Sequence, residues 1–485
     1  MMNLDSLIAL APFLTMTVTS VAAMLAIAIR RNFALINGIT GGGIILSLLA
    51  LAPSWHKSPA QVTALLRIDD YALFFIALLL LAGLAVLGLC HDYFREREGE
   101  NEELPILLST ALLGGSVLAA ASHFAAFFLG LETLSISLFT LIGYPVNQRR
   151  PLEAAIKYLI LSGVSSAFLL MGIAFLYAQS GELSFSGLGR FISSQPAMNI
   201  VMLSGIVLIV AGLGFKLSLV PFHLWTPDVY EGAPAPVTGF IATVSKGAVF
   251  VLLLRLFVET DSYAFAPLRS VLSLIAVLSI LAGNLLALLQ TNIKRLLAYS
   301  SIAHMGYLLV AFIAGAAVAR PLVVESVSFY LVAYFITTLG AFGVISMLST
   351  PDRETADIAA LRGLFWQRPW LAGSFTLMLL SLAGIPLTAG FIGKFYIFTS
   401  GADGRFWGLL AAVIVGSGLG LFYYLRIIVA MSMDVESSEP EPRKIPIERL
   451  SVLTLAILSL LLIWFGILPG HLIHYIQSMA DTFNK

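Results

Sequence analysis

The sequence has a single cysteine, Cys90, and only 11% of its 485 residues are charged. One thiol excludes an internal disulfide framework, and no CxxC or HExxH spacing is present to hold a metal ion or an iron–sulfur cluster. What charge there is balances, with 27 Lys and Arg against 27 Asp and Glu. No basic run exceeds a pair or so, which excludes a nucleic-acid interface. Neither GxGxxG nor a Walker motif occurs, so no phosphate cradle for a nucleotide is expected. Long polar insertions are missing as well; the hydrophilic stretches 91–103 and 433–446 are loop-sized. The first apolar run, 7–29, has no basic region before it and no small-residue cleavage site after it, and reads as a retained first span rather than a signal peptide.

In place of charge the chain is 59% hydrophobic, with a mean hydropathy of +0.95. That much apolar surface cannot be hidden inside a water-soluble globule, so the bilayer is its solvent. A hydrocarbon core of about 30 Å needs about 20 apolar residues per helix. Stretches of that size fall at 7–29, 34–53, 71–90, 104–121, 123–144, 152–178, 200–230, 236–258, 267–290, 295–316, 321–349, 369–402, 405–431 and 447–469, giving an all-α polytopic membrane protein of about fourteen spans. Cationic residues should gather in cytoplasmic loops. Odd-numbered connections carry Arg30, Arg31, Arg95, Arg97, Arg149, Arg150, Lys294, Arg295, Arg353, Arg362, Arg368, Arg443, Lys444 and Arg449. Even-numbered ones carry Lys57, Arg67, Arg190, Arg269, Arg320 and Arg405. Odd loops are therefore expected in the cytoplasm and both termini outside it.

Two spans, 200–230 and 369–402, are too long to run straight, and each contains a proline, Pro221 and Pro386. Proline removes a backbone donor and clashes with the preceding turn, so both helices are expected to break there. Broken helices in corresponding places mark a duplicated transporter. The seventh and twelfth spans lie five apart, an odd number that inverts the second copy. The expected division is a three-helix segment at 1–103, a five-helix repeat at 104–258, its inverted counterpart at 259–432, and a C-terminal helix at 433–485.

A charge at a helix centre costs roughly 2.5–3.5 kcal/mol on insertion scales, so each one inside a span needs a reason. At about 1.5 Å per residue, Glu132 and Lys246 lie near the midplane of the fifth and eighth spans. Lys216 precedes the break at Pro221, and Lys394 follows the break at Pro386. Lysine suits reversible protonation, because burial lowers its pKa while a nearby carboxylate raises it again. A pairing of Glu132 with Lys216 would load the lysine, and withdrawal of Glu132 would release its proton. The plainer alternative is a neutral structural lock. Lys157 follows Glu153 by four residues, which suits an i, i+4 pair and snorkelling as well as a proton role. His304 lies in YSSIAHMGY with Ser300, Ser301 and Tyr307 nearby, and fits a proton relay or a hydrogen-bonded packing histidine. His223, within the first break, either joins the path or caps freed backbone groups. Arg255 and Arg426 read as snorkelling anchors near span ends. Gly114, Gly115, Gly212 and Gly214 read as close-packing sites rather than ligand loops.

The run AGLGFKLSLVPFHLWTPDVYEGAPAPV at 211–237, SKGAVF around Lys246, QTNIKRLLAYSSIAHMGY at 290–307 and LSLAGIPLTAGFIGKFYIF at 380–398 resemble the subunit N family of bacterial proton-pumping NADH:quinone oxidoreductase, respiratory complex I. The resemblance covers essentially the whole chain. Related families are subunits L and M and the subunits of multisubunit cation/proton antiporters; YEGAPAPV favours N, and the chain stops soon after the fourteenth span, without the long lateral helix of L. The resemblance implies an antiporter-like subunit of the inner-membrane arm, between subunits M and K, with a proton path through Glu132, Lys216, Lys246, His304 and Lys394 and matching positions at Glu153 and Lys157. It further implies that FMN, the iron–sulfur clusters and the quinone belong to other subunits, and that redox chemistry elsewhere drives proton movement here. The residues themselves leave open a cation/proton antiporter subunit or a structural subunit with a silent ion path.

Overall fold

The computed structural model describes residues 4–95, 97, 99–195, 199–350, 354–434 and 449–483. Arg353, Arg443 and Lys444, counted above among the odd-loop cations, lie outside them. Among the described residues the chain is almost wholly helical. Eleven helices are long and apolar enough to cross a bilayer, and three shorter apolar ones complete the set.

In chain order the spans are Ala11–Ile29, Phe33–Trp55, Asp70–Arg95, Leu104–Ala120, Phe124–Ile142 and Arg149–Ser180. The seventh is broken into Ile200–Lys216 and Trp225–Gly232. Then come Ala235–Thr260, Ala266–Leu288, Ile293–Ala314 and Arg320–Leu348. The twelfth is broken into Pro369–Ala383 and Ala389–Asp403, and Trp407–Ser432 and Arg449–Ile467 finish the bundle. Each of the fourteen apolar stretches expected from hydropathy corresponds to one of these, and both expected breaks are present. Several starts are set locally by the residues there. Asn32, His123 and Asn292 each cap a helix by accepting a backbone N–H, and prolines occupy the first turn of the fourth, ninth, eleventh and twelfth spans, where a missing N–H costs nothing.

The loops sort onto two faces. On the odd-loop face Arg31 bonds Glu103 (3.0 Å), the Tyr144 hydroxyl bonds Glu103 (3.1 Å), Arg97 bonds the Thr350 carbonyl (2.7 Å), and the Ser451 N–H bonds Asp92 (2.7 Å). On the even-loop face the Ser122 N–H bonds the Leu65 carbonyl (3.1 Å), the Phe124 N–H bonds the Leu183 carbonyl (2.9 Å), and Arg320 pairs with Asp261 (2.7 Å). Both described ends of the chain are on this second face, through Asp5 with Lys57 and through Phe483 stacked on Tyr71. The seventh span therefore runs from the even to the odd face and the twelfth from the odd to the even.

Two pairs of sequential spans approach closely. A Cβ on Gly114 would come within 2.7 Å of the Leu134 N–H nitrogen on the fifth span, and one on Gly283 within 2.7 Å of Ala303 nitrogen on the tenth, so these crossings exist only because both positions are glycine.

Several short elements had no counterpart in the hydropathy reading, among them the following. A two-stranded hairpin pairs Ala60–Gln61 with Arg67–Ile68, and a short helix, Phe185–Ser194, lies in the sixth loop. After the fourteenth span, an amphipathic helix Gly470–Phe483 packs Ile476, Met479, Ala480 and Phe483 back onto the bundle, so the C-terminal segment holds two helices rather than one. The eighth span also contains a π-helical turn, Ile241–Ser245, immediately before Lys246.

Candidate functional site

Both breaks free backbone carbonyls inside the membrane, and the structure satisfies them in specific ways. In the first, the Trp225 indole N–H donates to the Phe215 carbonyl (2.9 Å) and the Thr226 hydroxyl to Ser218 (2.6 Å), clamping the two halves together. Lys216 is the last residue of the first half, at the negative end of its helix dipole, a favourable place for a cation. In the second break Gly384 caps Pro369–Ala383 in the left-handed conformation (φ +85°), and the Lys394 ammonium reaches back from the other half to the Ala383 carbonyl (2.7 Å). A Cβ on Gly384 would lie 2.6 Å from Lys394 Cδ, so this position requires glycine for its conformation and for its space.

Around Lys216 the partners are hydroxyls. Its Nζ donates to Ser135 (2.8 Å) and Ser162 (2.7 Å), on the fifth and sixth spans. Glu132 is one turn from Ser135 and accepts from the Ser166 hydroxyl, one turn beyond Ser162. A direct Glu132–Lys216 ion pair was one reading of the sequence. Here the two charges instead sit on adjacent rungs of a serine ladder, Glu132 half-buried at the flank of the bundle and Lys216 only 5% exposed.

Lys246 is 1% exposed. The π-helical turn before it inserts an extra residue per turn and so resets the direction in which its side chain leaves the helix. Its Nζ donates to Ser301 (2.8 Å), which also receives the Tyr334 hydroxyl (2.7 Å) and lies 3.2 Å from the Tyr230 hydroxyl, while the Tyr230 ring lies 5.2 Å from the ammonium. His304, one turn from Ser301, is held at both ring nitrogens by phenols, Nδ1 by Tyr330 (2.7 Å) and Nε2 by Tyr424 (3.3 Å). A small cavity then joins His304 to Lys394 between Tyr330, Thr337 and Ser381. It has about 10 Å³ for the centre of a water-sized sphere, room for about one water. The expected hydroxyl neighbours of His304 are thus redistributed: Ser301 serves Lys246, Ser300 bonds Tyr424, and the Tyr307 ring faces Lys394 at 5.2 Å.

Lys216, Lys246 and His304 are therefore buried inside the bundle, each against its own hydroxyl groups, and Lys394 is partly buried against a carbonyl. A hydroxyl can accept from an ammonium or donate to an amine, so Lys216 and Lys246 can each be charged or neutral without losing their partners. Among the described residues the lysines with a carboxylate within 4.0 Å are Lys57, Lys157 and Lys294, none of them in this line.

Glu153, Lys157 and His223 are placed elsewhere. Lys157 does pair with Glu153 (2.7 Å), but it also pairs with Asp228 (2.9 Å), which Arg295 holds at 2.8 Å; Arg295 in turn reaches Glu231 (2.9 Å). This network belongs to the odd-loop face. His223 lies in the turn of the first break, and among the described residues no hydrogen bond joins it to Lys216 or Lys246. Two arginines depart from the sequence reading. Arg255 is not a snorkelling anchor: it is fully buried, bidentate to Asp69 (2.7 and 2.8 Å), with Tyr71 and Phe483 rings against its guanidinium. Burial works against the Asp69 carboxylate, but Arg255 and the Ala72 N–H outweigh it and hold its pKa below the ordinary value. Arg426 bonds the Leu288 carbonyl (2.9 Å) and the Gln290 carbonyl (2.5 Å), closing the end of the ninth span.

A fourteen-span bundle with two oppositely directed broken helices and buried lysines beside the breaks defines an antiporter-like ion-translocating membrane subunit. The family model described as NADH:quinone oxidoreductase/Mrp antiporter, TM, matches residues 121–420. A NADH-quinone oxidoreductase subunit N from Methylococcus capsulatus is 54% identical over 430 residues, 89% of this chain and 87% of that one. Another from Ectopseudomonas mendocina is 47% identical over 486 residues, 98% and 96% of the two chains. Among solved structures, a chain of respiratory complex I from Thermus thermophilus with bound aureothin superposes with a TM-score of 0.81 at 33% identity, covering 96% of this chain and 98% of that one. A chain of the Mrp complex from Dietzia shares the fold at a TM-score of 0.84 and 17% identity, covering 100% and 98%. The chain belongs to the subunit N family of NADH-quinone oxidoreductases.

Proposed function

We propose that this chain carries protons through the line Lys216, Lys246, His304 and Lys394, with Glu132 as the carboxylate that couples the line to its neighbours. It does so as a membrane-arm subunit of an NADH-quinone oxidoreductase, which links electron transfer from NADH to quinone with proton movement across the membrane. The observation that carries this reading is that these buried bases are matched to hydroxyls and a carbonyl rather than to counter-ions. A structural lysine would be neutralised, since an unpaired buried charge is costly. A lysine that must change charge cannot be.

In this reading a charge arriving near Glu132 changes how strongly Lys216 holds its proton. Each pKa unit so moved corresponds to about 1.36 kcal/mol, so a modest rearrangement at the flank is enough. Ser301 accepts from Lys246 when it is an ammonium and donates to it when it is an amine, and the phenols of Tyr330 and Tyr424 orient the His304 imidazole for transfer towards Lys394. Flavin, iron–sulfur and quinone chemistry is assigned to other subunits of the complex. Subunits K and M are the proposed neighbours, with the half-buried Glu132 flank turned towards one of them. The cationic bias of the odd loops supports placing that face in the cytoplasm and both termini on the outer side. Glu153 and Lys157 serve as entry residues on the odd-loop face.

A tagged chain extracted in mild detergent should co-migrate on a native gel with NADH dehydrogenase activity. Migration without that activity, joined to sodium- or potassium-dependent proton exchange, would assign the same lysines to a cation/proton antiporter.

A further inference from the structure

Given the proton line proposed above, on which this step rests, we propose that Asn284 of the ninth span is a positioning residue for its His304 and Lys394 end. Its amide holds in place the phenols that wall these two bases. Asn284 is 1% exposed. An amide inside an apolar bundle is costly unless its hydrogen bonds are made, and here they are made in one sense only. Its Nδ2 donates to the Ile280 carbonyl one turn back (2.7 Å). A carbonyl can only accept, so this contact fixes which side of the amide is nitrogen. The second N–H then goes to the Tyr307 hydroxyl (3.0 Å), and Oδ1 receives the Tyr423 hydroxyl (3.1 Å).

Both phenols lead to the bases. The Tyr307 ring lies 5.2 Å from the Lys394 ammonium and stands edge-on to the His304 imidazole, with centroids 5.6 Å apart. Tyr423 lies against Tyr424, with centroids 4.4 Å apart, and the Tyr424 hydroxyl is the 3.3 Å partner of His304 Nε2. The thirteenth span is shaped around this amide. A Cβ on Gly416 would come within 2.8 Å of the Tyr307 hydroxyl and 2.9 Å of Asn284 Nδ2, and one on Gly420 within 3.4 Å of Asn284 Oδ1. A hydroxyl donates or accepts according to how it rotates, so phenols left free would turn with each change of charge at His304 or Lys394. The amide does not titrate. Tyr307 therefore accepts from it and Tyr423 donates to it in every charge state, and the walls keep one geometry while the proton moves.

The intact complex is reconstituted in liposomes as wild type, Asn284→Leu, Tyr423→Phe, the double variant and Lys394→Met, and proton uptake is measured per assembled complex. Asn284→Leu removes the amide at nearly constant volume, and Tyr423→Phe removes one hydroxyl and leaves the ring. Asn284→Leu should lower uptake about five-fold, the equivalent of one neutral hydrogen bond. Tyr423→Phe should lower it too, and the double variant should be no worse than Asn284→Leu, because the amide acts through the phenol. Wild-type uptake per assembled Asn284→Leu complex overturns the proposal, since a merely structural amide alters the amount of complex and not the uptake of each. Additive losses in the double variant overturn it as well. Where Asn284→Leu fails to assemble, wild-type uptake in Tyr423→Phe has the same force. Lys394→Met keeps the two levels apart: wild-type uptake there contradicts the proton line itself, whereas uptake lost there but kept in Asn284→Leu leaves the line standing and removes Asn284 from it.

Discussion

Arg255 and Lys246 are both on the eighth span, nine residues apart, and both are essentially inaccessible, yet their surroundings are opposite. Arg255 has a bidentate carboxylate from Asp69, a second acid in Glu259 at 3.5 Å and two aromatic rings. Lys246 has a serine hydroxyl and one ring at 5.2 Å. The guanidinium cannot be deprotonated in a protein, so pairing it makes a fixed lock between the third span, the eighth span and the C-terminal helix. The amine can be deprotonated, and withholding a counter-ion brings its charged and neutral forms within reach of each other. On the proposed reading, one span uses buried positive charge for two purposes, distinguished by whether a carboxylate is present.

The comparison can be broken at either end. Lys246→Met should reduce proton pumping by the reconstituted complex to background while complex abundance in membranes stays within about two-fold, since a lone buried ammonium adds little to stability. Asp69→Asn should have the reverse profile. It leaves buried Arg255 with only the longer contact to Glu259 (3.5 Å), at a cost approaching the roughly 3–5 kcal/mol of a broken buried pair, and should appear as loss of assembled complex on a native gel. The Asp69 pKa is depressed in the folded chain, so its contribution is present above pH 3.8, the ordinary value, and is lost as the pH falls through the lower folded value. The lock should therefore hold throughout the working pH range.

Smaller effects sharpen the picture. Ser301→Ala removes the acceptor for Lys246, a hydrogen bond to a charged group worth about 1.5–3 kcal/mol. Pumping should slow by ten-fold or more, with recovery in Ser301→Thr. Lys157→Ala breaks a half-exposed ion network at the odd-loop face, and its stability cost should stay below about 1 kcal/mol by thermal shift of the purified complex.

The spans, the two breaks and the four bases Lys216, Lys246, His304 and Lys394 were legible in the sequence because each carries a one-dimensional signal: apolar length, a proline within an overlong run, or a charge at a depth where charge is costly. Their partners were not. Ser135, Ser162 and Ser301 cost little to bury and look like any helix serine, and each meets its lysine from 54 to 81 positions away. Asp69 and Arg255 are 186 positions apart, so an arginine near a span end looked like an anchor when it was half of a lock. The π-helical turn before Lys246 has no residue pattern that distinguishes it from the α-helix on either side. The helix Gly470–Phe483 escaped because its apolar residues form a stripe rather than a run.

The most direct test is to reconstitute the complex carrying Lys216→Met in liposomes and record, in one preparation, NADH oxidation, proton uptake and the amount of assembled complex. Full assembly with proton uptake lost is the predicted result. Proton uptake equal to wild type with Lys216→Met fully incorporated would contradict the proton line and make the buried lysines structural.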